Sequence, residues 1–174
     1  GDGVYKSVDA GETWEHIGLD GTKHISQVRI HPDNPDVMYV SAQGSPYVDS
    51  QDRGVYRTTD GGKNWKKVLF VDASSGAIDL AMDYTNPRIL YAAFWDHQRL
   101  PWYVRSGGKG SGIWKSVDGG DTWKKLEDGL PKSLMGKIGV TVSRANPKLL
   151  YAIIESDEGG LYKSCLLYTS DAAD

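Results

Sequence analysis

A chain of 174 residues has room for one domain of ordinary size, and 39% hydrophobic with 25% charged residues is the make-up of a soluble globular protein. A formal charge of −3 argues against a nucleic-acid binder driven by phosphate contacts; one Cys excludes an internal disulfide framework and a Cys-based zinc site; no apolar run approaches the ~20 residues of a transmembrane helix. The surplus of 21 Gly, 6 Trp and 10 Tyr over 2 Phe fits tight turns between short strands better than helices.

In chain order, a short Gly-aliphatic-aromatic-basic run, Gly3-Val4-Tyr5-Lys6, leads into the octet Ser7-Val8-Asp9-Ala10-Gly11-Glu12-Thr13-Trp14. Period-two alternation then predicts a strand through Ser26, Val28 and Ile30. An Asn34-Pro35 turn and a second strand over 37–42 follow, then a loop over about 43–53. The unit recurs: Gly54-Val55-Tyr56-Arg57, the octet Thr58 to Trp65, a strand through Ile78, Leu80 and Met82, the turn Asn86-Pro87, a strand over 89–94 and a long loop over about 95–111. It recurs again as Gly112-Ile113-Trp114-Lys115, the octet Ser116 to Trp123, a strand through Ile138, Val140 and Val142, Asn146-Pro147 and a strand over 149–154. A fourth copy begins at Gly160-Leu161-Tyr162-Lys163-Ser164.

The tryptophans Trp14, Trp65 and Trp123 are 51 and 58 residues apart. A period of about 50 residues carrying four short strands is that of a propeller blade. The expected fold is therefore all-β: a partial β-propeller of about three four-stranded antiparallel blades over residues 1–164. The last ten residues, Cys165 to Asp174, are similar to the read-through translation of a common sequencing adapter and are expected not to be native. Without them the chain has no Cys, and 20 basic residues face 21 acidic ones. Seven blades would need about 350 residues, so the remaining blades of the same propeller are expected partners.

The octet resembles the Asp-box of bacterial-neuraminidase-type repeats. The order of motifs, with Gly-Val-Tyr-Arg-Thr-Thr-Asp-Gly-Gly at 54–62, Gly-Ala-Ile-Asp-Leu at 76–80 and three Asn-Pro-x-x-x-Tyr turns, resembles bacterial sortilin-like or glycosyl-hydrolase-type repeat proteins. The resemblance implies structural roles for Ser7, Asp9, Gly11, Trp14, Thr58, Asp60, Gly62, Trp65, Ser116, Asp118, Gly120 and Trp123. Asp accepts hydrogen bonds from the turn, Gly permits positive φ, and Trp packs beneath the turn at the sheet interface. A catalytic acid need not recur in every blade, so Asp9, Asp60 and Asp118 are not read as catalytic. Related repeats occur in sialidases, xyloglucan-active hydrolases, sorting receptors and photosystem assembly factors, so the fold does not name the activity. The resemblance also implies a secreted or periplasmic location.

Antiparallel alternation puts the Asn-Pro turns and octets on one face and the long loops on the other. Ligand-binding candidates on the long-looped face are Tyr47, Asp49, His97, Arg99, Trp102, Tyr103 and Arg105; Asp96 is a weak catalytic candidate. Asp79, on a covered first strand, is read as bonding a neighbouring blade. No spacing suggests a metal site, a phosphate loop or a nucleophile elbow, and no cofactor is expected. Two functions stay open: a propeller that binds protein, peptide or glycan through its long loops, which is preferred, and part of a glycoside hydrolase whose carboxylates lie partly elsewhere. This stretch alone is expected to be inactive.

Overall fold

The computed structural model describes residues 1–164; the adapter-like decapeptide lies outside the described residues. Strands β1 (Tyr5–Lys6) and β2 (Glu15–His16) pair first, and a 3-10 turn over Asp20–Thr22 follows. A four-stranded sheet then runs in order through β3 (Ile25–His31), β4 (Asn34–Ala42), β5 (Gly54–Thr58) and β6 (Lys66–Leu69). The next runs β7 (Ser75–Met82), β8 (Leu90–Leu100), β10 (Gly112–Ser116) and β11 (Lys124–Leu126), with β9 (Tyr103–Ser106) folded back on the far end of β8. Three strands, β12 (Ile138–Val142), β13 (Leu150–Ile154) and β14 (Gly160–Ser164), form the last sheet. The architecture is a partial β-propeller: two complete blades between a two-stranded and a three-stranded piece.

Register repeats from blade to blade. Val40 stands opposite Val28 and Tyr56, Ala92 opposite Leu80 and Trp114, and Ala152 opposite Val140 and Tyr162. The second strands β4 and β8 are buried on both sides because their blades are covered on both faces. Along β8, Leu90, Ala92 and Phe94 pack toward Tyr39 and Val55 of the preceding blade. Tyr91 and Ala93 pack toward Ile138, Val140 and Ala152 of the following one. Val28 and Ile30 on β3, and Ile153 and Leu161 on the last sheet, are exposed.

Polar stitches join the innermost strands. β3 and β7 each carry a bulge near their start. There Ser26 Oγ donates to the Ala77 carbonyl of the next blade at 3.1 Å, and Asp79 Oδ2 accepts from Val140 N at 2.9 Å. Asp79 thus bonds the neighbouring blade, as its sequence position suggests.

The octet turns close on themselves. Asp60 Oδ1 accepts from Asn64 N at 2.9 Å and from Thr58 Oγ1 at 2.8 Å, while Asn64 Nδ2 donates to Oδ2. Asp9 and Asp118 make the same pattern with Ser7 and Thr13, and with Ser116 and Thr122. Hydrogen bonds from Thr13 and Asn64 hold the Asp9 and Asp60 carboxyls down at about 2; for Asp118, burial opposes the shift but the bonds from Thr122 and Ser116 outweigh it. Gly62 has φ of 99°, and a Cβ there would lie 2.7 Å from Ile17 Cδ1. Gly61 N and Gly119 N donate to the carbonyls of Asp36 and Arg88, which puts the octets and the first-to-second connections on one face.

The tryptophans differ. Trp65 Nε1 reaches the Ile17 carbonyl of the preceding sheet at 2.7 Å. Trp14 and Trp123 bond only their own turns, at Gly11 O and Gly120 O, and Trp14 is 64% exposed where no further blade covers it. Asn34-Pro35 opens β4 instead of forming the turn, because His31 pairs with Asn34 across the two-residue turn Pro32–Asp33. The expected loop after residue 94 is largely a hairpin: β8 runs on to Leu100 and pairs with β9 in the register Arg99 to Val104.

Candidate functional site

The long-looped face is built around this hairpin. The segment at 45–48 lies along β8, with Arg99 N donating to Pro46 O at 2.7 Å and Gln98 Nε2 to Tyr47 O at 3.2 Å. Beneath both sits Arg53, fully buried. Its guanidinium donates to the carbonyls of Ser45 at 2.7 Å, Val48 at 3.2 Å and His97 at 3.3 Å, and to that of Ser74. One planar cation therefore ties the second-to-third loop of one blade, the link between blades and the hairpin of the next.

Above it, Arg105 fixes the hairpin's charged residues. Its Nε donates to Asp96 Oδ1 at 2.8 Å, one terminal nitrogen donates to Gln98 Oε1 at 3.1 Å, and the other lies 3.6 Å from Asp49 Oδ1. Asp96 is packed closely from its other side, since a Cβ at Gly108 would lie 2.0 Å from its Oδ2. Its contacts are those of a hairpin anchor. His97 is buried, stacks on Trp95 at 3.9 Å between centroids and bonds the Arg105 carbonyl through Nδ1 at 3.1 Å. Burial first, then the cations Arg53, Arg105 and Arg99, lower its pKa from the ordinary 6.5, although the bond to Arg105 opposes them. Ser106 Oγ accepts from Trp95 Nε1 and donates to Glu155, whose Oε2 also accepts from Lys137 N at 2.8 Å.

The geometry brings Tyr47, Asp49, His97, Arg99 and Arg105 into one loop cluster. His97 lies inside it and Arg99 on its surface. Trp102 and Tyr103 stand at the hairpin tip, 82% and 56% exposed, and Tyr47 and Val48 are exposed beside the same hairpin. Sequence reasoning placed Arg53 at the end of the 43–53 loop and missed its role as the hub. It also missed an open cavity of about 670 Å³ at the inner ends of β3, β7 and β12, whose lining includes Lys23, His24, Gln27 and Lys137. No shared motif marks those residues.

Known proteins agree with this architecture. The Xyloglucanase Xgh74A of Acetivibrio thermocellus is 28% identical over 165 residues, which is 85% of this chain and 19% of that protein. Vacuolar protein sorting/targeting protein 10 of Kluyveromyces lactis is 34% identical over 91 residues, 48% of this chain and 5% of that one. The chain thus spans a fifth or less of these relatives' length. Among solved structures, an ancestral GH74 enzyme superposes with a TM-score of 0.68 at 20% identity, covering 94% of this chain and 20% of its own. The GH74 xyloglucanase from Xanthomonas campestris gives 0.69 at 17% identity, covering 94% and 26%. The Sortilin-Vps10 family (sortilin, neurotensin receptor 3) matches residues 2–173. With the blades and their register as described, that match over almost the whole length means that this propeller chain belongs to the Sortilin-Vps10 family.

Proposed function

We propose that the chain is the glycan-binding part of an extracellular or periplasmic propeller, with the ligand held on the long-looped face. The observation that carries this reading is the exposed aromatic set of Trp102 and Tyr103 on the hairpin and Tyr47 beside it, on a support held by Arg53 from below and by Arg105 within the hairpin. Large exposed apolar groups on a rigid support mark an interaction surface, and flat rings ordered in advance lose little entropy on binding. Asp49, Arg99 and Arg105 flank them as polar groups for hydroxyls. The xyloglucanase relatives favour a sugar over a peptide as the ligand.

Those relatives also favour a second reading, in which the chain is part of a glycoside hydrolase. Asp96 and Glu155 are already committed, to Arg105 and to Ser106 with Lys137 N. On that reading this stretch supplies binding and the catalytic carboxylates come from elsewhere.

Titration calorimetry with xyloglucan oligosaccharides tests the proposal. Trp102→Ala should weaken binding about tenfold, which corresponds to losing one well-packed aromatic contact of about 1.4 kcal/mol. Unchanged affinity would count against the platform.

A further inference from the structure

We infer that the cavity at the inner mouth of the long-looped face binds the anionic group of an acidic sugar, so that the ligand is a carboxylated or sulfated glycan. This rests on the glycan reading above and adds its charge class. At about 670 Å³ the cavity is of ligand-site size, and it opens on the same face as the hairpin.

Its polar lining is rich in donors. Lys23 and Lys137 come from separate blade links, both are exposed, and among the described residues neither forms an ion pair. His24, Ser26, the carboxamides of Gln27 and Gln43, and Gly1 also line it. Arg29 already occupies Gln27 Oε1 at 2.7 Å, which leaves the amide N–H groups of Gln27 to donate. Asp79 is the acidic residue in the lining; its two oxygens accept from Leu80 N at 2.8 Å and Val140 N at 2.9 Å, and its one negative charge is set against the two lysines.

Two further details point the same way. Lys23 holds a φ of 57° and ψ of −80°, an uncommon backbone state for a residue with a side chain. Lys137 Nζ stands 5.8 Å over the Trp95 ring, at the base of the hairpin that carries the aromatic tip. A cationic recess in a chain of formal charge −3 concentrates anions locally, since a cleft focuses the field of its own charges. Ligand contacts would then run from a charged group at the mouth to sugar rings near the hairpin.

Calorimetry on the chain with three oligosaccharides of equal length tests this: an oligogalacturonate, its carboxyl-reduced neutral form, and a sulfated form of that neutral backbone. At least one charged form should bind on the order of tenfold tighter than the neutral one, the size of a charge-assisted hydrogen bond. Which charged form leads assigns carboxylate or sulfate as the natural group. Lys23→Gln and Lys137→Gln should each remove part of that preference, and the pair together nearly all of it, with the thermal unfolding midpoint unchanged. Lys137→Arg, which keeps the charge, should keep the preference. Trp102→Ala should weaken charged and neutral forms alike. Equal affinity for all three sugars would overturn the inference and leave the glycan reading standing. A preference that survives the double substitution would overturn the site. Binding of none of them would overturn the inference, and the glycan reading would then be decided by the xyloglucan oligosaccharides.

Discussion

The two faces of the molecule are held in opposite ways. On the octet face each Asp accepts from groups no more than four residues away, so the bonds of these carboxylates close within their own turns and repeat with the blade. On the long-looped face Arg53 gathers carbonyls from Ser45, Val48, Ser74 and His97, up to 44 residues distant. Local turns can be copied with the blade; a long-range hub cannot. The lesson is that the repeated face carries the fold and the unrepeated face is where specific recognition can be built.

The largest effect that breaks this contrast should come from Arg53→Met. It leaves several buried carbonyls without a donor and should cost about 3 kcal/mol in urea unfolding, with the hairpin amides losing hydrogen-exchange protection first. A loss confined to the octet face would contradict the hub. Trp65→Phe should follow at about 1 kcal/mol, because it removes the bond to Ile17 O across two sheets; Trp14→Phe, whose bond stays within its own turn, should cost less. Equal costs for the two would show that the cross-sheet bond adds nothing.

Ala10 sharpens the comparison within the octets. It has φ of 58°, where the other copies place Gly61 and Gly119 at 74° and 78°. Ala10→Gly should raise the unfolding free energy by up to about 1 kcal/mol, and Gly61→Ala should lower it by a similar amount.

The smallest effects, per group, separate the faces by pH. His97 is held below 6.5, so the unfolded chain takes up its proton first; its share of stability is present above 6.5 and declines as the pH falls through 6.5. The octet carboxyls Asp9, Asp60 and Asp118, lowered to about 2, contribute above 3.8 and lose that contribution as the pH falls through 2. Unfolding midpoints measured from pH 7.5 to 2 should show two steps, and His97→Gln should erase only the upper one. A single acid step in the parent chain would remove this distinction.

Most of the fold is legible in the sequence because its signals are short-range. Alternation at Val28 and Ile30, or at Ile138 and Val140, needs no knowledge of a partner, and the octet from Thr58 to Trp65 spells out its own turn. The hairpin is not legible in this way. Gln98, Arg99 and Leu100 pair with β9, and Pro46, Tyr47 and Arg53 of the previous blade brace that hairpin at Arg99 N, the Gln98 side chain and the His97 carbonyl. The residue types of the binding candidates are visible in the sequence, but their surroundings are not: nothing local turns His97 inward and leaves Trp102 out. Lys23 and Lys137 meet at one cavity only because blades stack.

Several polar joints between blades share one property. Trp65 lands on the Ile17 carbonyl, Ser26 on the Ala77 carbonyl, Asp79 on Val140 N, and Tyr39 and Arg57 together on the Gly119 carbonyl at 2.8 and 2.7 Å. Each receiving atom belongs to the main chain, which every residue possesses. At these joints a blade reads its neighbour's backbone, whereas Arg57 to Asp121 at 2.8 Å, Ser106 to Glu155 and the apolar faces between blades depend on the neighbour's side chains. Duplicated units can therefore diverge at these receiving positions without a matching change across the seam, while the packed apolar faces keep the two sides matched.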